Sequence, residues 1–293
     1  MKPDFKSNQP SYAIGLDVGG TKIAGGVVNL SSGVIEFEHT IPTRPERGGQ
    51  AVLADTVRLA ESLLDRAKAL NLEISGIGLG VPELVDLAGH ITSAHAVAWQ
   101  NLPVQETLAH LAPAVVESDV RAAALGEANF GSGRRFRLFV YITVGTGISC
   151  CLVQDGQPYA GARGNALILA SSPLTTTCDV CGTTLSPILE EFASGPALVA
   201  RYNRQAQASF ERGEDVLAAV EAGDEIAIEI VKTAGEALGV SAGWLINVLD
   251  PEAVIVGGGL GSAKGLYWDS FVASTRRHIW SETNRDLPIL AAA

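Results

Sequence analysis

Three glycine-rich turns each follow an apolar run: "DVGGTK" at Asp17–Lys22, "VGTGIS" at Val144–Ser149 and "VGGGLG" at Val256–Gly261. Glycine lets the backbone come close to an anion and turn its N–H groups toward it, so the chemistry such turns serve is phosphate binding. The first turn also carries an acid, a threonine and a lysine between two apolar runs. That composition suits a loop holding phosphate together with a metal ion; the plain alternative is a β-hairpin with a glycine-rich tip. No G-x-x-x-x-G-K-[ST] occurs, and no G-x-G-x-x-G opens a helix, so neither a P-loop nor a Rossmann nucleotide site is expected. One glycine turn says little. Three of them with an acid in the first make a far more specific set.

The elements that must position these turns follow from hydrophobic periodicity. Residues 12–18, 23–30 and 34–43 read as three successive strands, and residues 51–70 as an amphipathic helix. "ISGIGLGVPELVD" is a buried strand running into a proline-containing loop. "AVVESDVRAAALGEANFG" is a short strand entering a helix near Ser118 that stops at Gly131. The pattern then restarts as "RLFVYITVGTGISCCLVQDGQPYAG", again strand, glycine turn, strand, and the start of a third strand. Helices over 186–204 and 215–249 and a strand in "AVIVGGGL" complete the reading. Two halves with one opening predict a duplicated α/β architecture with a cleft between domains 1–117 and 118–293.

Composition narrows the partners. The 293 residues are 47% hydrophobic and 18% charged, with a net charge of −11, which describes a folded chain rather than a disordered one. Nucleic acid is not an expected partner, because phosphate contacts need a basic face and the one basic cluster, "GSGRRFR", reads as a solvated loop. No apolar run is long enough to cross a bilayer, and "MKPDFKSNQPSY" lacks the apolar centre of a secretory signal. A cytoplasmic location is expected. Cys150 and Cys151, adjacent in an apolar strand, face opposite ways and read as small core residues.

"GLDVGGTKIAGGVV", "ESDVRAAALGEANFGSGR", "YITVGTGISCCLV", "LEEFASGPAL" and "LINVLDPEAVIVGGGL" stand in the order and spacing of the ROK family, and the chain resembles its sugar kinases and related repressors from about Ala13 to Leu290. The resemblance implies two hinged ribonuclease H-like domains of the actin-like ATPase fold, with ATP and sugar in the cleft. It implies that Asp17 lies near Mg2+, reaching it through water, and that Gly19, Gly20, Thr21 and Lys22 form the first phosphate loop. Gly145, Thr146 and Gly147 resemble the second phosphate loop, and Gly257, Gly258 and Gly259 the adenosine-contacting segment. Asp119 matches the catalytic base. A sugar hydroxyl must lose its proton as it attacks the γ-phosphoryl group, and a carboxylate at a strand end can accept it. Asp119 also stands where it could cap the following helix, a role compatible with the first. A homodimer is expected from the resemblance alone.

The acceptor side departs from the pattern. The family's loop reads G-x-x-G-x-A-G-E-x-G-H, whereas this chain has "GARGNALILAS", with Ile168 for the glutamate and Ser171 for the histidine. Isoleucine cannot accept a sugar hydroxyl, so an ordinary pyranose should be held poorly. Ser118 replaces an asparagine beside Asp119, and Glu83 replaces a glycine, so Glu83 is either a new carboxylate in the cleft or a solvated loop residue. Asn101 is a further candidate acceptor contact, ahead of His95. The family's C-x-C-G-x-x-G-C-x-E zinc motif survives only as Cys178 and Cys181, with Ser186 at the last cysteine. Two thiols are half of a four-ligand site, and zinc is not expected. The chain ends at "LPILAAA", where the family continues with a glycine- and alanine-rich closing helix: either the sequence is shortened or the last element is missing, which would weaken the nucleotide domain.

The expected activity is therefore phosphotransfer, from ATP or from polyphosphate, to a hydroxyl of an atypical hexose, amino sugar, deoxy sugar or cyclitol. The competing reading is a catalytically silent ligand-binding or regulatory protein. A ROK repressor with its DNA-binding domain is not expected, because the first strand starts near Tyr12. An actin-like or chaperone ATPase lacks the "LDPEAVIVGGG" and "EFASGPAL" segments in this spacing.

Overall fold

The computed structural model describes residues 11–171, 176–177 and 184–293. They form two compact units: one comprises the described residues up to Ala123 together with Ala160–Ala166, the other Ala124–Tyr159 and the described residues from Leu167 to Ala293.

In the first unit, β1 (Tyr12–Val18), β2 (Lys22–Asn29) and β3 (Ile35–Pro42) make an antiparallel meander. After α1 (Gly49–Ala69) the chain returns as β4 (Ile74–Val81), parallel to β1. After α2 (Val104–Ala109) it returns again as β5 (Ala114–Ser118), parallel to β4, and continues directly into α3 (Asp119–Asn129). The sheet order is β3-β2-β1-β4-β5. Alternation buries Tyr12, Ile14, Leu16 and Val18 on one face of β1. That face packs against the stripe of α1 formed by Val52, Leu59, Ala60 and Leu63.

The second unit repeats the plan. β6 (Leu138–Val144), β7 (Ile148–Gln154) and β8 (Gln157–Pro158) form the meander. A two-stranded pair, β9 (Thr176–Thr177) and β10 (Thr184–Leu185), lies outside the main sheet. Four helices follow: α4 (Leu189–Ala193), α5 (Gly195–Ala206), α6 (Gly213–Glu221) and α7 (Glu225–Leu249). β11 (Ala253–Gly257) is parallel to β6, α8 (Leu266–His278) lies on the glycine stripe of α7, and β12 (Ile289–Ala291) closes the sheet in the order β12-β11-β6-β7-β8. Every residue of β11 is buried, as suits a central parallel strand. Each meander and its two added parallel strands thus recur in the same order, as duplication of the opening motif requires.

Two helices expected as continuous are broken. Ser194 is extended and caps α5 through its hydroxyl, which accepts from Ala197 N–H, while Pro196 has no N–H to extend a ladder from α4. Asp224 caps α7, its carboxylate accepting from Ala227 N–H at 2.8 Å, after Gly223 ends α6. The elements α2, α8 and β12 have no counterpart in the sequence reading. Cys150 and Cys151 are both buried, as expected of core residues. Among the described residues no helix is long and apolar enough to cross a membrane.

Candidate active site

Strands β1, β4 and β5 run parallel and end side by side: Asp17 pairs with Gly80, Gly80 with Glu117, and Val81 with Ser118. In a parallel sheet the carboxyl ends of the strands are where ligands bind. Asp17, Glu83, Ser118 and Asp119 leave the first sheet at that edge. The turn after β1 is closed by Gly19 N–H donating to Lys22 C=O at 2.9 Å. It is buttressed by Thr43, fully buried, whose hydroxyl donates to Gly19 C=O at 2.6 Å and whose N–H reaches Thr21 C=O. Thr21 and Lys22 are exposed at the tip.

Asp119 is the first residue of α3 and half-buried; its carboxylate accepts from the neighbouring Val120 N–H at 2.6 Å. Burial, and then the nearby charges of Asp17 and Glu83, push its carboxyl up to about 6, against the pull of that N–H. Asp17 is also raised by burial of its carboxyl, with Lys22 pulling the other way, although part of the residue stays open to solvent. Ser118, between β5 and Asp119, has a buried hydroxyl with no hydrogen-bond partner. A buried hydroxyl costs free energy until it is paired, which suits a group awaiting a ligand.

Glu83 is neither a solvated loop residue nor a free carboxylate. It is buried and accepts from the backbone N–H groups of His95 (2.8 Å), Ala96 (2.6 Å) and Val97 (3.0 Å) and from the Ser93 hydroxyl. Burial alone would raise its carboxyl, but those donors together hold it below its usual value. Its two oxygens are thus engaged by loop donors. Asn101 is exposed and left-handed, in the same loop as Trp99, whose buried indole N–H donates to Gly49 C=O.

In the second unit two of the glycine turns come together. Leu260 N–H and Gly261 N–H both donate to Val144 C=O, at 3.1 and 2.9 Å, tying the segment after β11 to the end of β6. Gly145–Gly147 and Gly257–Gly259 therefore lie beside one another. Gly258 has φ +81°, and a Cβ there would stand 2.4 Å from Val144 O, so no other residue lets the backbone pass. The Val144–Ser149 turn is braced from behind: Glu190 accepts from Ile148 N–H at 2.7 Å, and Gly195 N–H donates to Gly145 C=O at 2.9 Å. Paired glycine turns with exposed tips at Thr146, Gly258 and Gly259 are the shape a polyphosphate needs.

Among the described residues no group of three or more His, Cys, Asp or Glu could hold a metal ion. Asp17, a partly open carboxylate at the end of β1, is the kind of single oxygen donor that Mg2+ takes alongside a substrate's own phosphates. Cys178 and Cys181 lie outside the described residues. Ile168 is exposed, and the exposed Ser171 donates its hydroxyl to Ile168 C=O at 3.3 Å. Thr43, Arg121 and Glu190 were not singled out in the sequence, although "ESDVRAAALGEANFGSGR" holds Arg121 and "LEEFASGPAL" holds Glu190.

The repeated meander-plus-parallel-strand sheet with glycine turns at corresponding strand ends defines an α/β protein of the actin-like ATPase fold. The ROK family matches residues 13–293, and the chain belongs to it. It is 30% identical over 284 residues to a glucokinase of Streptomyces coelicolor, covering 90% of this chain and 87% of that one. It is 26% identical over 259 residues to a xylose repressor of Caldicellulosiruptor bescii, covering 83% of this chain and 65% of the repressor. Among solved structures, a ROK family glucokinase from Streptomyces griseus in complex with glucose and AMPPNP superposes with a TM-score of 0.81 at 26% identity, over 96% of this chain and 94% of that one.

Proposed function

We propose that the protein transfers a phosphoryl group from ATP to a hydroxyl of a sugar or sugar-like acceptor, with Asp119 as the general base. The observation that carries this is Asp119 itself: a half-buried carboxyl at the end of β5, raised to about 6, beside the unpartnered hydroxyl of Ser118. At neutral pH such a carboxylate is ionised and more basic than an ordinary aspartate, so it can take the proton of an attacking hydroxyl. Ser118 would orient that hydroxyl or its neighbour by donating or accepting. Gly19–Lys22 in the first unit, and Gly145–Gly147 with Gly257–Gly259 in the second, would hold the nucleotide by backbone N–H groups. Mg2+, held by Asp17 through water, would neutralise charge on the phosphates.

The exposed Ile168 and the internally bonded Ser171 supply no carboxylate or imidazole for an ordinary hexose. The acceptor is accordingly an amino sugar, a deoxy sugar or a cyclitol. The same two residues favour a second reading, a ligand-binding protein that has lost catalysis, and the repressors among its relatives make that reading concrete. ADP release from Mg-ATP across a panel of hexoses, amino sugars, deoxy sugars and cyclitols separates the two, with polyphosphate as a parallel donor. An acceptor that stimulates the wild type but not Asp119→Asn supports the kinase. Silence across the panel while ATP binds supports the ligand-binding protein.

A further inference from the structure

Two opposite charges are buried in the first unit and are spent on loop backbone. Glu83 is 4% exposed and Arg121 6% exposed. Glu83 gathers three successive N–H groups, His95 to Val97, and the Ser93 hydroxyl, whose oxygen also accepts from Leu84 N–H at 2.8 Å. Arg121, two residues after Asp119, donates to Val85 C=O at 2.7 Å and to Gly164 C=O at 2.5 Å, while its Nε reaches the Glu117 carboxylate at 2.7 Å.

These contacts join segments that have little ladder of their own. Between β4 and α2 the one isolated β-bridge among the described residues joins Val85 with Ile91, flanked by the backbone bonds of Thr92 N–H to Leu84 C=O and Asp86 N–H to His90 C=O. Gly164 has φ +82°, and a Cβ there would stand 2.1 Å from Val85 O, so the 160–166 loop lies directly on the segment after β4. Ala96, held through its N–H by Glu83, has its methyl 3.6 Å from where a Cβ of Gly20 would be, against the first phosphate turn. Charge-assisted hydrogen bonds are roughly twice as strong as neutral ones, and a buried charge stripped of partners is costly. Few conformations of these loops satisfy both charges at once.

We infer that Glu83 and Arg121 are positioning residues of the acceptor site, a brace of two buried charges that locks loops 83–86, 93–97 and 160–166 around Asp119 before the acceptor arrives. The inference rests on the kinase reading for its word "acceptor" and on the geometry alone for the brace. Pre-organised loops spare the acceptor the cost of ordering them, so loosening the brace weakens acceptor binding and leaves the nucleotide turns of the second unit untouched.

The test uses the full chain as wild type, Glu83→Gln, Glu83→Asp and Arg121→Lys. Hydrogen exchange read by mass spectrometry should quicken over 93–97 in Glu83→Gln, and over 84–86 and 160–166 in Arg121→Lys, while β1 and β4 stay protected. Steady-state kinetics should show the acceptor KM rising about tenfold or more in Glu83→Gln and Arg121→Lys, the worth of a lost hydrogen bond to a charged group, with the ATP KM unchanged in Arg121→Lys and Glu83→Asp partly restoring the wild-type value. Unchanged exchange in those segments, or acceptor and ATP KM rising together in Arg121→Lys, would overturn the brace. Should no acceptor be turned over by the wild type, the kinase reading alone falls. The exchange arm needs no substrate and still decides the brace.

Discussion

Asp119 and Glu83 leave the ends of adjacent strands, yet their surroundings move them in opposite directions. Asp119 is raised to about 6 by burial and then by two acidic neighbours, against a single N–H donor; Glu83 is buried too, but its four donors hold it low. If Asp119 must be ionised to act, kcat/KM falls about tenfold per pH unit below about 6 and is level above it, and a pH–rate profile checks this. Asp119→Asn should lower kcat by about 10²- to 10⁴-fold. The same shift bears on stability. The folded protein holds the Asp119 proton more tightly than the unfolded chain, so this group's contribution declines as pH rises from its ordinary value through about 6. Asp119→Asn should therefore melt no lower than wild type at pH 7.5 by calorimetry, separating loss of chemistry from loss of fold. Asp17 was a candidate because its glycine turn is local in sequence, and Ser118 and Asp119 because their segment resembles the family's. Glu83 stayed open between two readings because its partners lie 10 to 14 residues away, in a loop with no periodicity to read.

Each glycine turn works only because the elements behind it hold it open. The Val144–Ser149 turn is braced by Glu190 of α4 and Gly195 at the start of α5, and the segment after β11 is tied to Val144. Gly258→Ala places an L-residue in the left-handed region, at about 1–2 kcal/mol before any clash, and drives its methyl against Val144 O. ATP affinity should fall about tenfold or more, with acceptor binding unchanged, when each is titrated calorimetrically. The break between α4 and α5 at Ser194 brings Gly195 to the turn. Periodicity over 186–204 read as one helix, because an extended residue between two helical turns leaves the apolar spacing almost intact.

Each unit carries its own hydrophobic core. One is built on Ile14, Leu16, Val18 and α1, the other on Val140, Ile142, Val254, Val256 and α7. A ligand that binds only the native form raises stability by about 2.7 kcal/mol at a hundred times its Kd. A non-hydrolysed ATP analogue, for which glycine turns of both units are proposed, should therefore raise the melting of both, and the acceptor that of the first alone. Scanning calorimetry with each ligand alone checks this, and one indivisible transition shifted equally by both would count against independent cores.

By itself the sequence determined the strand–turn–strand opening of each half, the glycine turns, the duplicated α/β plan and the family. These depend on residue type and on spacing along a few neighbouring positions, where alternation, helical periodicity and glycine act locally. Tertiary structure alone decided that Glu83 is saturated, that Thr43 and Glu190 brace the glycine turns, that Ser118 is left unpartnered and that Arg121 fastens 160–166 to the helix bearing Asp119. Each of those facts is a question of which donors and acceptors meet after the chain has folded back on itself. Hydrogen-bond satisfaction in the interior is settled by packing between distant segments, and no local pattern encodes it.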